Sequence, residues 1–205
     1  MTTPLSAWAT EMRDLFRSGG CAQFILHGNV FDAVPQDGRM LSLKTFLNEV
    51  MFAGYDVVLQ YDRSRGVRAV KGAEDWNEWL HGALGDEARN QSYLREPGSA
   101  LELIDRYLLR TLNLQAIGDK AAAAKKLAVV IDFAEFVVPR GDAVALGGPF
   151  SANVIKVLGW ANDPAILHAN IITVLVTEGL HDLNELVVEN PHAVTLRLPL
   201  PDEAE

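Results

Sequence analysis

The chain has 205 residues, 49% of them apolar and 22% charged, which suits one domain with a substantial core. A net charge of −9 argues against a nucleic-acid backbone or an anionic membrane as principal partner. Cys21 is the only cysteine, which excludes an intrachain disulfide and a cysteine-rich zinc site.

Leu5, Trp8, Ala9, Met12, Leu15 and Phe16 recur at helical spacing and predict an amphipathic helix that closes near Ser18-Gly19-Gly20. Nothing there resembles a signal-peptide hydrophobic region, and later apolar runs are too short to cross a bilayer. The sequence therefore reads as a soluble, cytoplasmic protein. Phe24-Ile25-Leu26 predicts a strand leading into His27-Gly28-Asn29. Residues 31–42, with Pro35, Asp37 and Gly38, read as a loop. Leu43, Phe46, Leu47, Val50 and Met51 predict a second helix ended by Gly54. Residues 56–61 predict a strand, with 66–70 paired back on it across Asp62-Arg63-Ser64-Arg65. Arg63, Arg65 and Arg68 around that turn read equally well as a basic patch or as exposed turn residues.

Helices are predicted over 74–84 and from Gly98-Ser99 onward, the second with Leu101, Ile104, Leu108 and Leu112 inward. Residues 121–126 form a connector. Leu127-Ala128-Val129-Val130-Ile131-Asp132 predicts a buried strand. Glycines and prolines make 137–150 a loop, and Ser151 is the expected N-cap of a helix through Trp160. Residues 171–177 predict a further strand, Asp182 the cap of a short helix, and 194–198 the last strand. Such alternation marks an α/β fold with a mainly parallel sheet.

The strand that ends in Asp132 carries the chemical signal. Its apolar run buries it in the sheet, and the acid emerges at the carboxyl edge, where doubly wound sheets bind ligands. An aspartate so placed can hold Mg²⁺ in a P-loop nucleotidase. Phe133 follows it and cannot accept a proton or orient water; the next carboxylate is Glu135.

From this strand the order of motifs continues through Val174-Leu175-Val176-Thr177 and Asp182-Leu183-Asn184-Glu185-Leu186. It closes in Leu198-Pro199-Leu200-Pro201-Asp202. This carboxyl-terminal part resembles the core of the AAA+ ATPase family. The resemblance implies a P-loop-NTPase-like three-layer sandwich with a mainly parallel five-stranded sheet in the order 5-1-4-3-2, the Phe24 strand central. It makes Asp132 the Mg²⁺-holding acid and Thr177 the end of the sensor strand. Phe133 stands where that family has a catalytic glutamate, and Glu178 where a polar side chain meets the γ-phosphate. Glu189-Asn190-Pro191-His192 brings no arginine to the arginine-finger segment.

The family's phosphate loop, G-x-x-x-x-G-K-[ST], lets backbone amides wrap the phosphates. After the first strand, His27-Gly28-Asn29-Val30-Phe31-Asp32 lacks the lysine. Further on, the stretch from Gly38 to Thr45 has the first glycine, Lys44 and Thr45 in register, but Leu43 replaces the second glycine. The candidate catalytic residues are thus Asp132, Glu135 and Thr177. The candidate cofactor contacts are Gly28, Asn29, Lys44 and Thr45, with Asp132 as the Mg²⁺ ligand.

The expectation is a catalytically degenerate AAA+-like domain spanning 1–205, without the helical lid and forming a module of a longer protein. Alone it is not an active ATPase, and no cofactor is expected. It acts in assembly or regulation of a larger AAA+ ATPase, with other AAA+ modules or subunits in a homo- or hetero-oligomer and a protein client. Two alternatives stand beside it. One is an ATP-binding and hydrolysing module with an atypical phosphate loop, using Asp132 for Mg²⁺ and Glu135 for water. The other is a protein-binding adaptor that never uses a nucleotide.

Overall fold

Continuous apolar runs, buried on both faces, build the central strands, and helices with one apolar stripe cover both faces of the sheet. The computed structural model describes residues 4–85, 94–141 and 148–200. Strands β1 (Gln23–Gly28), β4 (Val57–Asp62), β6 (Leu127–Asp132), β7 (Ile171–Val176) and β8 (Ala193–Leu198) lie parallel. Strand β5 (Gly66–Lys71) returns antiparallel along β4. The sheet is six-stranded in the order β5-β4-β6-β7-β1-β8. This corrects the expected five-stranded 5-1-4-3-2 sheet to six strands, and the order changes only by the added edge strand β5, since the five parallel strands numbered among themselves run 5-1-4-3-2. The hairpin's return strand pairs from Gly66 to Lys71 and becomes one edge, so β6 and β7 occupy the middle.

Alternation along β6 separates two cores. Leu127, Val129 and Ile131 face a layer holding α3 (Ala73–Leu84), α4 (Pro97–Ala116) and α6 (Gly148–Asn162). Ala128 and Val130 face the other layer, with α1 (Ala7–Arg17) and α2 (Leu43–Phe46). Short helices α5 (Lys120–Ala124), α7 (Pro164–His168) and α8 (Glu185–Val188) complete the connections.

Helix α6 is tied to α4 through Asp105. Its carboxylate accepts Trp160 Nε1 at 2.8 Å and Lys156 Nζ at 3.1 Å, and Glu102 holds the same ammonium at 2.9 Å. Burial works against the Lys156 charge, but the two carboxylates outweigh it and raise its pKa above the ordinary lysine value. Asp105→Ala leaves the buried indole N–H without an acceptor. It is expected to cost about 1–2 kcal/mol, read as a lower urea midpoint.

Several local expectations are corrected. Residues 31–42 contain a hairpin, β2 (Ala33–Gln36) and β3 (Arg39–Ser42), turned at Asp37 and Gly38. Both turn residues have positive φ (49° and 72°), as a type I′ turn requires. Helix α2 runs on into a π-helical turn at Leu47–Met51. Helix α4 begins at Pro97, where a missing N–H costs nothing, and Glu96 accepts the Ser99 amide at 2.7 Å. Helix α6 begins at Gly148, ahead of Ser151. Asn184, and not Asp182, caps α8; its side chain accepts the Leu186 amide at 3.1 Å and donates to the Gly141 carbonyl at 2.7 Å. Pro201 and Asp202 lie outside the described residues.

Candidate functional site

Strand parity brings two acids to one place. Asp132 follows Ala128 and Val130 and so points toward α2. On β4, Asp62 has the parity of Val58 and points the same way. It lies one residue past the Tyr61–Ile131 register pair and therefore beside Asp132. Both side chains are almost fully buried, at 4% and 5% exposure.

Lys44 reaches them from the start of α2. Ser42 N-caps this helix, its hydroxyl accepting the Thr45 amide at 3.2 Å. Leu43 is buried as a core residue, which aims Lys44 along the sheet edge. Its ammonium lies 2.9 Å from Asp132 Oδ2 and 4.0 Å from Asp62 Oδ2. The Asp132 contact is a close ion pair, and Lys44 is the one cation within contact distance of Oδ2 among the described residues. Asp62 is better served. Its Oδ1 accepts from the Ser64 amide at 3.0 Å, the Ser64 hydroxyl at 2.5 Å and the Arg65 amide at 2.9 Å, and Arg68 reaches Oδ2 at 3.3 Å.

These environments separate the two acids. Burial opposes the Asp62 charge, but its hydrogen bonds and the Lys44 and Arg68 cations win and hold the carboxyl below the ordinary aspartate value. Burial dominates at Asp132 and pushes its carboxyl up. Lys44 pulls it down, and the Asp62 charge adds to the upward push.

A cavity of about 330 Å³ opens over this group, lined among others by Phe31, Lys44, Asp62, Asp132, Glu135 and Thr177. Glu135 contributes a carboxylate oxygen that is buried without a hydrogen-bond partner. Thr177 donates its hydroxyl to the Gly179 carbonyl at 3.3 Å. At the mouth, Phe133 stands in the left-handed region (φ 52°), costly for a bulky side chain, with its ring 5.4 Å from that of Phe31. Both rings are substantially exposed.

The structure therefore gathers Lys44, Asp132, Glu135 and Thr177 around one cavity. Gly28 and Asn29 are not among the residues that line this cavity. The Gly28 amide donates to the Glu178 carbonyl at 3.0 Å, the Asn29 amide to Leu198 at 3.2 Å and the Val30 amide to Gly28 at 2.8 Å. Asn29 Nδ2 also donates to the Leu198 carbonyl, at 3.3 Å. The β2–β3 hairpin fills the connection from β1 to α2, so its backbone groups pair with each other across the ladder. The Thr45 hydroxyl meets that of Ser42 at 2.9 Å. Asp62, Ser64 and Arg68 join this group through their contacts; the sequence places Arg68 only in a possible basic patch, and Asp62 and Ser64 only in a turn. The available signal was that Asp62 closes an apolar strand as Asp132 does.

A Rossmann-like α/β domain with paired strand-end acids and a helix-start lysine at its carboxyl edge defines the general class. The sequence matches the family described as AAA+ chaperone, N-terminal Rossmann-like domain, over residues 2–199, and the chain belongs to that family. Among solved structures it is similar to a chain of the Escherichia coli MS115-1 HORMA–CdnC–Trip13 complex. That similarity has 13% identity and a TM-score of 0.45 over 96% of this chain, which spans 56% of the other. No curated protein matches the sequence. No helix among the described residues is long and apolar enough to cross a membrane.

Proposed function

We propose that this domain is a catalytically degenerate AAA+-type module of the cytoplasm. It works through protein contacts in the assembly or regulation of a larger AAA+ ATPase, beside other AAA+ modules or subunits. One observation carries the reading. The Lys44 ammonium, the cation at the start of α2, is held by Asp132 at 2.9 Å with Asp62 beyond. It pairs with the acid that would otherwise hold Mg²⁺, so the cation and the acid serve each other at the cavity floor.

The residues present fit a Mg²⁺–triphosphate poorly. The amides of Gly28, Asn29 and Val30 are spent on carbonyls, and Leu43 brings a buried side chain where a phosphate nest needs glycine. Phe133 supplies no base.

A second reading, an ATP-using module with an atypical loop, draws on one observation. Glu135, with its unpartnered oxygen, lines the same cavity as Asp132 and Thr177. Isothermal titration of the chain with MgATP separates the two. The expected result is no saturable heat up to roughly millimolar nucleotide. Micromolar binding that disappears in Asp132→Ala would establish the second reading instead.

A further inference from the structure

A second cavity, of about 730 Å³, opens at the opposite, amino edge of the sheet. It is walled by the end of α1, the segment that follows the π-helical turn, and the residues between α7 and β7. Met12, Phe52 and Ile172 form a floor that is essentially inaccessible to water. Above it stand the partly buried Phe16, Met51 and Tyr55. The π-helical turn matters here. One extra residue per turn widens the helix end and carries Val50 and Met51 into the wall, and such turns concentrate at functional sites.

The rim has the opposite character. Arg17, Lys126 and His168 stand around it on three separate segments, all exposed. Arg13 is there too, its Nε paired with Asp14 at 2.9 Å. No aspartate or glutamate is among the described residues that line it. In a chain with 27 acidic and 18 Lys or Arg residues, this is a local inversion of charge beside a water-poor floor. The volume falls within the range of roughly 300–1,000 Å³ typical of ligand clefts. A lining with two methionines and three aromatic rings, floor and wall together, adapts to differing apolar shapes.

We propose that this cavity docks a segment of a partner protein that is acidic and carries one large apolar side chain. The anchor enters between Phe16, Met51 and Tyr55, and carboxylates on both sides of it meet Arg17 and Lys126. Cations on separate segments of the rim favour a chain with acids flanking the anchor over a small molecule with a single carboxylate head. Nucleotide at the carboxyl edge, bound or not, does not enter this site.

Fluorescence anisotropy with a labelled ten-residue peptide, one phenylalanine flanked by aspartates and glutamates, tests this on the full chain. Saturable binding is expected, weakened about tenfold or more by Arg17→Glu and, independently, by Lys126→Glu. Both positions are exposed, and unchanged thermal midpoints show that the variants remain folded. The control peptide with lysines replacing the acids, and the one with serine replacing the phenylalanine, are expected not to bind. Failure to saturate, equal binding of either control, or indifference to both charge reversals would overturn the assignment. So would saturation by decanoate with none by the peptide, which would make this a small-molecule site.

Discussion

Gly28→Ala is expected to cost about 2–4 kcal/mol of folding stability, seen as a lower urea midpoint at unchanged m-value. Gly28 is the last residue of β1 and has φ +91°, a region that L side chains enter at a cost of about 1–3 kcal/mol. A Cβ there would also lie 2.9 Å from the Leu198 carbonyl oxygen, a backbone atom of the neighbouring strand that cannot swing away. The same carbonyl accepts the Asn29 amide and side chain, so parting β1 from β8 breaks those bonds as well. Gly38→Ala provides the comparison. Its φ is +72°, but nothing lies within 4 Å of the added carbon, so it pays the backbone term alone, about 1 kcal/mol. Equal losses at the two positions would show that the close approach of β8 is unimportant and would return Gly28 to the list of possible ligand contacts.

The same glycine illustrates what the sequence could and could not convey. A glycine after a buried strand invites a phosphate-loop reading, because close backbone approach is what glycine permits. Sequence shows that something comes close but not what, and here it is a neighbouring strand. The apolar run ending in Asp132 was legible because burial on both faces leaves an uninterrupted hydrophobic stretch and the terminal acid stands out against it. The β2–β3 hairpin was not, because Pro35 and the polar residues around it outweighed the Asp37-Gly38 pair, itself a type I′ turn signal. The hairpin across Asp62–Arg65 was legible, but whether β5 joined the sheet depended on edge pairing that alternation cannot specify. The Lys44–Asp132–Asp62 group was legible only in pieces. Its members come from three distant segments, and only the register of β4 on β6 and the direction of α2 bring them together.

That group yields the sharpest thermodynamic test. Lys44→Met leaves Asp132 buried beside Asp62 without its cation. The expected loss at pH 7 is about 2 kcal/mol, below the roughly 3–5 kcal/mol of a fully buried broken pair because the ammonium is 38% exposed. Asp132→Asn acts in the opposite sense. It removes a carboxylate that burial already disfavours and leaves Lys44 free to turn toward water, so stability at pH 7 is expected to hold or rise. Combining the two substitutions should recover most of the Lys44→Met loss, a coupling that additive effects would contradict. The pH dependence has a definite sign. With its folded pKa raised, Asp132 holds more protons in the native chain than in the unfolded one between the ordinary aspartate value and the raised value. Its contribution is therefore greatest in acid and is lost as pH rises through that window. Asp62, Asp75 and Glu96 are held below their ordinary values and act oppositely, their contributions being lost as pH falls. Subtracting the Asp132→Asn profile from that of the unmodified chain cancels the contributions of the more distant Asp75 and Glu96. The difference should fall with rising pH and then level off. A difference that rises with pH would mean that the Lys44 cation outweighs burial at Asp132 and would overturn the assigned direction.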